Sequence, residues 1–429
     1  METVVVLFNR DLRVHDHPAL AEACAQARFV VPLFVVDQGI RPRQRGRFLS
    51  EALSDLRESL RDLGGELLLR QGDPVDEAMR VAEQARAEAV WVSGDVTPYG
   101  RRRERRLAEA CEGRRMGFRV FPGVTVVPAG DVRPGTGDHY RVFTPYWRAW
   151  TACARREVLA PPWEVRTPDG LPPGEVPARP KAYGNIPGGE SAGRRRLDLW
   201  LKLCLADYDE GHDDLSEDRT SMLSPYLHFG CVSPNDVVTQ AAGRPGAEPF
   251  VRQLCWRDFH HQVVYAFGDL SRRDYRSRDV RWRDDPEALA AWKAGMTGIP
   301  VVDAGMRQLR AEGWMHNRAR LIVGSYLTKH LRIHWREGGD HFMDLLLDAD
   351  FANNWGNWQW VAGTGNDTRP NRVLNPVRQG RKLDPEGEYV RRYVPELADV
   401  PAPLIHEPWK ASPPIPGYPA PIDPGTMDA

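Results

Sequence analysis

Between Thr3 and Phe121 five short apolar runs, TVVVLF, FVVPLFVV, ELLL, AVWVS and FRVF, alternate with longer amphipathic or charged segments such as RFLSEALSDLRESLRDL. Apolar runs this short, bounded by polar sequence, are the signature of buried strands. Helical patterns between them require neighbouring strands to run parallel, because a parallel pair needs a long crossover. The alternation predicts a doubly wound parallel sheet with helices on both faces. No GxGxxG follows the first run, so the architecture by itself implies no dinucleotide.

Between Pro161 and Glu190, 13 of 30 residues are Pro or Gly, a density that excludes both helix and central strand. Beyond it the pattern changes period. GGESAGRRRLDLWLKLCLADY, PFVRQLCWRDFHHQVVYAF, PVVDAGMRQLRAEGW and HNRARLIVGSYLTKHLRIHW carry apolar residues three and four apart. A helical second domain is expected. From Val400 to Ala429 nine prolines in 30 residues predict an extended, weakly ordered tail. The expected organisation is an α/β domain over 1–128, a connector over 129–188, a helical domain over 189–397 and a Pro-rich tail over 398–429. A length of 429 residues accommodates this, at about 100–200 residues per domain.

The 58 basic and 59 acidic residues leave a net charge of −1, so any attraction for a polyanion must be local. Six scattered cysteines with no CxxC argue against a disulfide framework or thiolate metal site and for a reducing, cytoplasmic setting. The opening METVVVLFNRDLR reaches charge by Arg10, too soon for a signal peptide or membrane span. His330 and His334 stand four apart in HLRIH, without the glutamate of HExxH, so no metal is expected.

Of 14 tryptophans, eight fall between Trp256 and Trp360. Three lie in DADFANNWGNWQW, from Asp348 to Trp360, where Asp350, Asn354 and Trp358 would share one face of a helix. Spacing alone leaves two readings open: a capped helix end with an anchoring indole, or a polar surface for a bound partner, since Asn353, Asn354 and Gly356 disfavour a helix interior. In TSMLSP, the hydroxyls of Thr220, Ser221 and Ser224 before a helical run suit an anion or an ordinary N-cap. Arg320 is placed to pair with Asp348 or with a phosphate.

These stretches, together with QLCWRDFHH, TGIPVVDAGMRQLRAEGWMHNRARLIVGSYLTK, RPNRVLNP and the opening VVLFNRDLRVHDHPAL, resemble the DNA photolyase and cryptochrome family over about residues 1–397. The resemblance implies that Tyr208, Thr220, Ser221, Met222, Leu223, Ser224, Phe250, Asp348, Ala349, Asp350 and Asn354 hold FAD, with Arg320 paired to Asp348. Asn354 matches the residue facing the flavin's central-ring nitrogen. Trp358, Trp335 and Trp282 match the family's electron-hopping chain, whereas Trp292 and Trp314 read as core anchors.

The implied substrate is UV-damaged DNA, handled by a monomer with no membrane partner, and the implied reaction is light-driven splitting of a flipped-out cyclobutane pyrimidine dimer. His212, Gln253, Trp256, Asn317, Arg318, Leu321 and Trp360 match DNA- and lesion-facing positions, Trp256 and Trp360 as aromatic walls. Seven basic residues against three acidic ones between Arg369 and Arg392 suit a phosphate-contacting rim. Gln253 stands where many dimer photolyases have glutamate and is familiar from (6-4) enzymes and animal cryptochromes. The histidine pair of the (6-4) enzymes is replaced here by Asn317 and Leu321.

Phe34, Arg45 and Asp95 match the antenna pocket of the class I, deazaflavin-binding members, although His228 replaces a lysine there. Tyr99 stands where folate-binding members have glutamate. The implied antenna is 8-hydroxy-5-deazaflavin rather than methenyltetrahydrofolate. A cryptochrome-type photoreceptor or a (6-4) photolyase is the alternative function.

Overall fold

Strands β1 (Thr3–Phe8), β2 (Phe29–Val36), β3 (Leu68–Gln71), β4 (Ala89–Ser93) and β5 (Gly117–Phe121) pair in parallel in the order β3-β2-β1-β4-β5, as the alternating runs predict. All six residues of β1 are buried, so both faces of the sheet are covered. One face is formed by Val5, Leu7, Val31, Leu33, Val90 and Val92 and packs on the helices Pro74–Gln84 and Pro98–Glu112. Both helices start on a cap-proline pair. Asp73 accepts from the N–H groups of Val75 and Asp76, and Thr97 accepts from that of Gly100.

Pro32 lies inside the central strand β2, where a missing N–H would ordinarily break a ladder. Val30 N–H donates to Arg166 O, so position 32, two residues on, also points away from β1, and β3 begins only opposite Leu33. No ladder bond is lost.

The computed structural model describes residues 1–37, 44–180, 184–217, 219–423 and 425. Of these, residues within Met1–Ala182, Ile186–Ala206 and Ser221–Asp269 form one compact unit, and those within Tyr183–Asn185, Asp207–Thr220 and Leu270–Ala429 a second. Compactness thus divides the chain differently from sequence order. The helices Glu190–Leu203 and Ala247–Phe267 belong with the sheet, although they follow the Pro/Gly-rich stretch.

Part of the expected connector is folded: Phe143–Ala152 is helical, with Trp150 fully buried and its Nε1–H donating to Asp258 Oδ2 at 3.0 Å. Beyond it the chain is irregular but docked, since Val165 is buried and Leu69 N–H donates to Pro173 O.

The second unit is helical, with Pro286–Ala294, Pro300–Glu312, Asn317–Ser325, Trp335–Leu345 and Phe351–Ala362 as its larger elements. HNRARLIVGSYLTKHLRIHW is not one helix. After Ser325 the coil widens over Tyr326–His330, and His334 caps a new helix by accepting from Arg336 N–H.

Up to Asp423 the expectation of a weakly ordered tail is corrected; residues 424 and 426–429 of that expectation lie outside the described residues. Ile405 and His406 are buried, Ile422 N–H donates to Thr297 O, and the Tyr418 hydroxyl donates to Asp303 Oδ2 at 2.7 Å. Prolines have little chain entropy to lose on docking, so a few such anchors suffice. Asp303 is fully buried and also accepts from Thr297 N–H, the Thr297 hydroxyl and Gly298 N–H. Replacing Tyr418 by phenylalanine is expected to lower unfolding stability by about 1–3 kcal/mol by leaving that buried carboxylate short of a donor. Urea titration reads the loss.

Candidate functional site

In the second unit Asp350 is the N-cap of Phe351–Ala362, its Oδ1 accepting from Asn353 N–H at 2.9 Å and Asn353 Nδ2 at 2.8 Å. Asn354 and Trp358 then project one turn apart on the same helix, with Asn354 Nδ2 donating to Gly339 O at 3.1 Å. The amides that disfavour a helix interior are therefore partly satisfied within the protein. Close approach of this helix to Trp335–Leu345 depends on two glycines. A Cβ at Gly338 would lie 2.2 Å from Trp358 Cη2, and one at Gly339 would lie 2.2 Å from Trp355 Cζ3.

Arg320 Nη2 lies 2.8 Å from Asp348 Oδ2, and its Nε donates to Met315 O at 2.8 Å. Asp348 Oδ1 is buried and has no hydrogen-bond partner among the described residues. A buried acceptor without a donor is costly in a finished core and calls for a donor from outside the chain. Ala349 is buried beside it.

Asn317 opens the helix Asn317–Ser325 and is exposed, with Leu321 half-buried one turn on. Arg318 turns to Asp213, with Nη2 2.8 Å from Oδ2, and His212 Nε2 lies 3.0 Å from Asp213 Oδ1. His212 also stacks on the buried Tyr208 at 5.0 Å. Asp213, which sequence reasoning passed over, thus holds two of the expected DNA-facing side chains, its neighbour His212 and, 105 residues away, Arg318.

His316 caps this helix, accepting from Arg318 N–H at 3.1 Å. Burial, aided by Arg318, Arg320 and His212 against Asp213, pushes its pKa down to about 4. A histidine neutral when folded favours the folded state fully above its usual value near 6.5 and loses that advantage as pH falls toward 4. His316→Asn, which retains a capping oxygen, is expected to flatten the acid loss of stability across that window by about 1–3 kcal/mol. Urea unfolding at a series of pH values checks it; an unchanged slope would contradict it.

Trp358 and Trp335 are both buried, Trp282 half-buried. Trp358 meets Phe342 and Trp292 edge-on at 5.0 and 6.1 Å, so Trp292 belongs to the same aromatic cluster while remaining a core residue. Trp335 meets Trp355 at 5.9 Å, a tryptophan to which the sequence reading gave no role. Between Trp335 and Trp282 lies His334, with ring centroids 5.3 and 5.1 Å away. Gln359, also overlooked, is 1% exposed; its amide donates to Leu270 O and Arg273 O and accepts from Tyr275 N–H, fixing the loop after residue 269. Trp360 is half-buried, with the Arg372 guanidinium 5.2 Å from its ring centre.

The expected basic rim is narrower than the sequence count. Arg381 pairs with Glu407, and Arg391 and Arg392 donate to the carbonyls of Val400 and Ser216, whereas Arg369, Arg372, Arg378 and Lys382 are exposed.

In the first unit, of the two readings of the segment 221–224, the ordinary N-cap is not the one seen at the start of Ser224–Phe229. Leu223 is the N-cap of Ser224–Phe229 without a side-chain bond, and Ser221 Oγ accepts from Leu223 N–H at 3.4 Å. Met222 is held at φ +50°, a strained conformation for a side-chain-bearing residue and of the kind that clusters at binding sites. Phe250 is buried against Trp200 at 4.4 Å. Gln253 and Trp256 lie one turn apart on Ala247–Phe267, Gln253 exposed and Trp256 stacked on Phe143 at 3.7 Å with 2° between planes.

Phe34 lies within β2 and Asp95 two residues beyond β4, Arg45 is the N-cap of the helix Gly46–Asp62, and Arg10 links Asp95 at 3.6 Å to the backbone oxygen of His228 at 3.2 Å. The Tyr99 hydroxyl is bonded to Asp37. Among the described residues, no helix is long and apolar enough to cross a membrane, and no group of three His, Cys, Asp or Glu side chains could hold a metal.

Residues 4–169 match a family model described as DNA photolyase, and residues 250–423 one described as FAD binding domain of DNA photolyase. A deoxyribodipyrimidine photo-lyase of Streptomyces griseus is 50% identical, with 96% of this chain aligned to 93% of that protein. A cryptochrome DASH of Gloeobacter violaceus is 34% identical over 96% of this chain and 89% of its own. Among solved structures, a bacterial class III photolyase from Agrobacterium tumefaciens matches with a TM-score of 0.92 at 33% identity, covering 99% of this chain and 94% of that one.

Proposed function

Because the chain belongs to the DNA photolyase and cryptochrome family, we propose that it repairs cyclobutane pyrimidine dimers in DNA, as a deoxyribodipyrimidine photo-lyase does. It is a carbon–carbon lyase that uses FAD and acts on UV-damaged DNA. The observation that carries this is the end-to-end likeness to a deoxyribodipyrimidine photo-lyase at half identity.

The residues present fit FAD. The orphaned Asp348 Oδ1 is an acceptor suited to a ribityl hydroxyl, and Arg320 pairs with that carboxylate and orients it. When bound and fully reduced, FAD supplies on blue-light excitation the electron that opens the cyclobutane ring. Tyr208, Thr220, Ser221, Met222, Leu223, Ser224, Phe250, Asp348, Ala349, Asp350 and Asn354 are its proposed contacts. Trp358, Trp335 and Trp282 carry electrons to restore the reduced state. Trp256 and Trp360 offer faces for base stacking, worth about 1–3 kcal/mol per base. Gln253 and Asn317 address base edges, and Leu321 supplies apolar contact. Arg318 faces the DNA backbone, and His212 is a further DNA-facing residue.

The finer assignment is a class I enzyme with 8-hydroxy-5-deazaflavin bound at Phe34, Arg45 and Asp95. Loss of an absorption band on expression in a host without deazaflavin supports that antenna; folate extracted from the native protein overturns it.

Exposing reduced holoprotein separately to dimer-containing and (6-4)-containing oligonucleotides under blue light tests the lesion class. Restoration of the dimer alone is expected. Restoration of the (6-4) product alone, or of neither, moves the assignment to a (6-4) photolyase or a cryptochrome.

A further inference from the structure

Trp335 is fully buried yet has two charged neighbours of opposite sign. Its Nε1–H donates to Asp274 Oδ1 at 3.0 Å, while the Arg336 guanidinium lies 5.2 Å from its ring centre. Trp358, by contrast, packs edge-on against the uncharged rings of Phe342 and Trp292. Asp274 is not held by chance. It lies in the loop that the buried Gln359 fixes through Leu270, Arg273 and Tyr275, with Arg276 N–H donating to Thr364 O just beyond.

Removing an electron from an indole leaves a positive charge on it. A carboxylate in hydrogen-bond contact with a buried ring stabilises that charge far more than water would, whereas a guanidinium opposes it. The carboxylate is the nearer group and is joined directly to the atom whose acidity rises on oxidation, so its effect dominates. We propose that Asp274 makes Trp335 easier to oxidise than Trp358, and so drives an electron vacancy outward along the chain. The inference rests on the tryptophan chain proposed above.

The step balances simply. Once Trp358 has given one electron to photoexcited oxidised FAD, one electron passes from Trp335 to Trp358, which becomes neutral again. Trp335 is left one electron short, its Nε1 proton stays in the hydrogen bond to Asp274, and no covalent bond changes. Trp282 then refills Trp335 past His334, and an added thiol refills Trp282. His334 Nδ1 accepts from Arg336 N–H at 3.1 Å, and burial lowers its pKa, so the ring between the two indoles is neutral and sets no positive barrier.

Asp274 is a positioning residue, so its test reads the oxidised tryptophan itself by flash absorption in FAD-loaded protein. In a Trp282→Phe background the vacancy stops at Trp335. There, Asp274→Asn is expected to shorten the lifetime of the oxidised tryptophan by about tenfold or more, and Asp274→Glu, which keeps the carboxylate, to restore most of it. Equal lifetimes for Asp274 and Asp274→Asn overturn the inference. Trp335→Phe separates the two levels. If it leaves the lifetime unchanged, the chain itself fails and the inference with it; if it collapses the lifetime while Asp274→Asn does not, only the role of Asp274 fails.

Discussion

Arg320→Ala is expected to yield protein largely devoid of FAD, with stability lowered by about 3–5 kcal/mol. Asp348 has a side chain only 4% exposed and, among the described residues, a single charged partner, Arg320, at 2.8 Å. Removing the guanidinium leaves an uncompensated buried carboxylate and frees the Met315 carbonyl that Arg320 also holds. The carboxylate must then take a proton or admit water, and either change removes the oriented acceptor proposed for the ribityl chain. Arg320→Lys keeps the charge but not two directed N–H groups, so an intermediate flavin content is expected. The ratio of flavin to protein absorbance and a urea titration measure both effects; full flavin content in Arg320→Ala would contradict the assignment of Asp348.

Gly338→Ala is expected to destabilise the second unit although alanine is the better helix former by about 1 kcal/mol. The added methyl would sit 2.2 Å from Trp358 Cη2 and 2.7 Å from Leu327 Cδ2, far inside the roughly 3.5–4.0 Å of ordinary carbon contact. Relief requires one helix to move or Trp358 to leave its rotamer, at about 1–3 kcal/mol or more for overpacking. Displacing Trp358 also disturbs the first link of the proposed electron chain, so slower flavin photoreduction should accompany the lower melting temperature. A variant more stable than the parent, with unaltered photoreduction, would mean that Gly338 does not set this packing.

What was legible in the sequence follows from locality. Strand runs and the spacing of Asn354 and Trp358 depend on neighbours a few residues apart. Functional roles came from resemblance rather than periodicity, since spacing alone left Asp348–Trp360 open between structural anchor and cofactor surface. What stayed hidden depends on distant partners. Nothing local marks Asp274 as the acceptor for Trp335, Gln359 as the anchor of a loop more than 80 residues earlier, or Asp213 as the partner of Arg318. The tail misled for a related reason. Its prolines signalled an absence of helix and strand, but docking through Ile405 and Tyr418 needs neither.

The most direct measurement follows a single thymine cyclobutane dimer placed in a restriction site of duplex DNA, mixed with holoprotein carrying reduced FAD. Recovery of cleavage after blue light, with none in the dark and none after FAD is removed, is the predicted result. A dimer that persists under light with reduced FAD bound, or one that is lost in the dark, would contradict light-driven dimer repair.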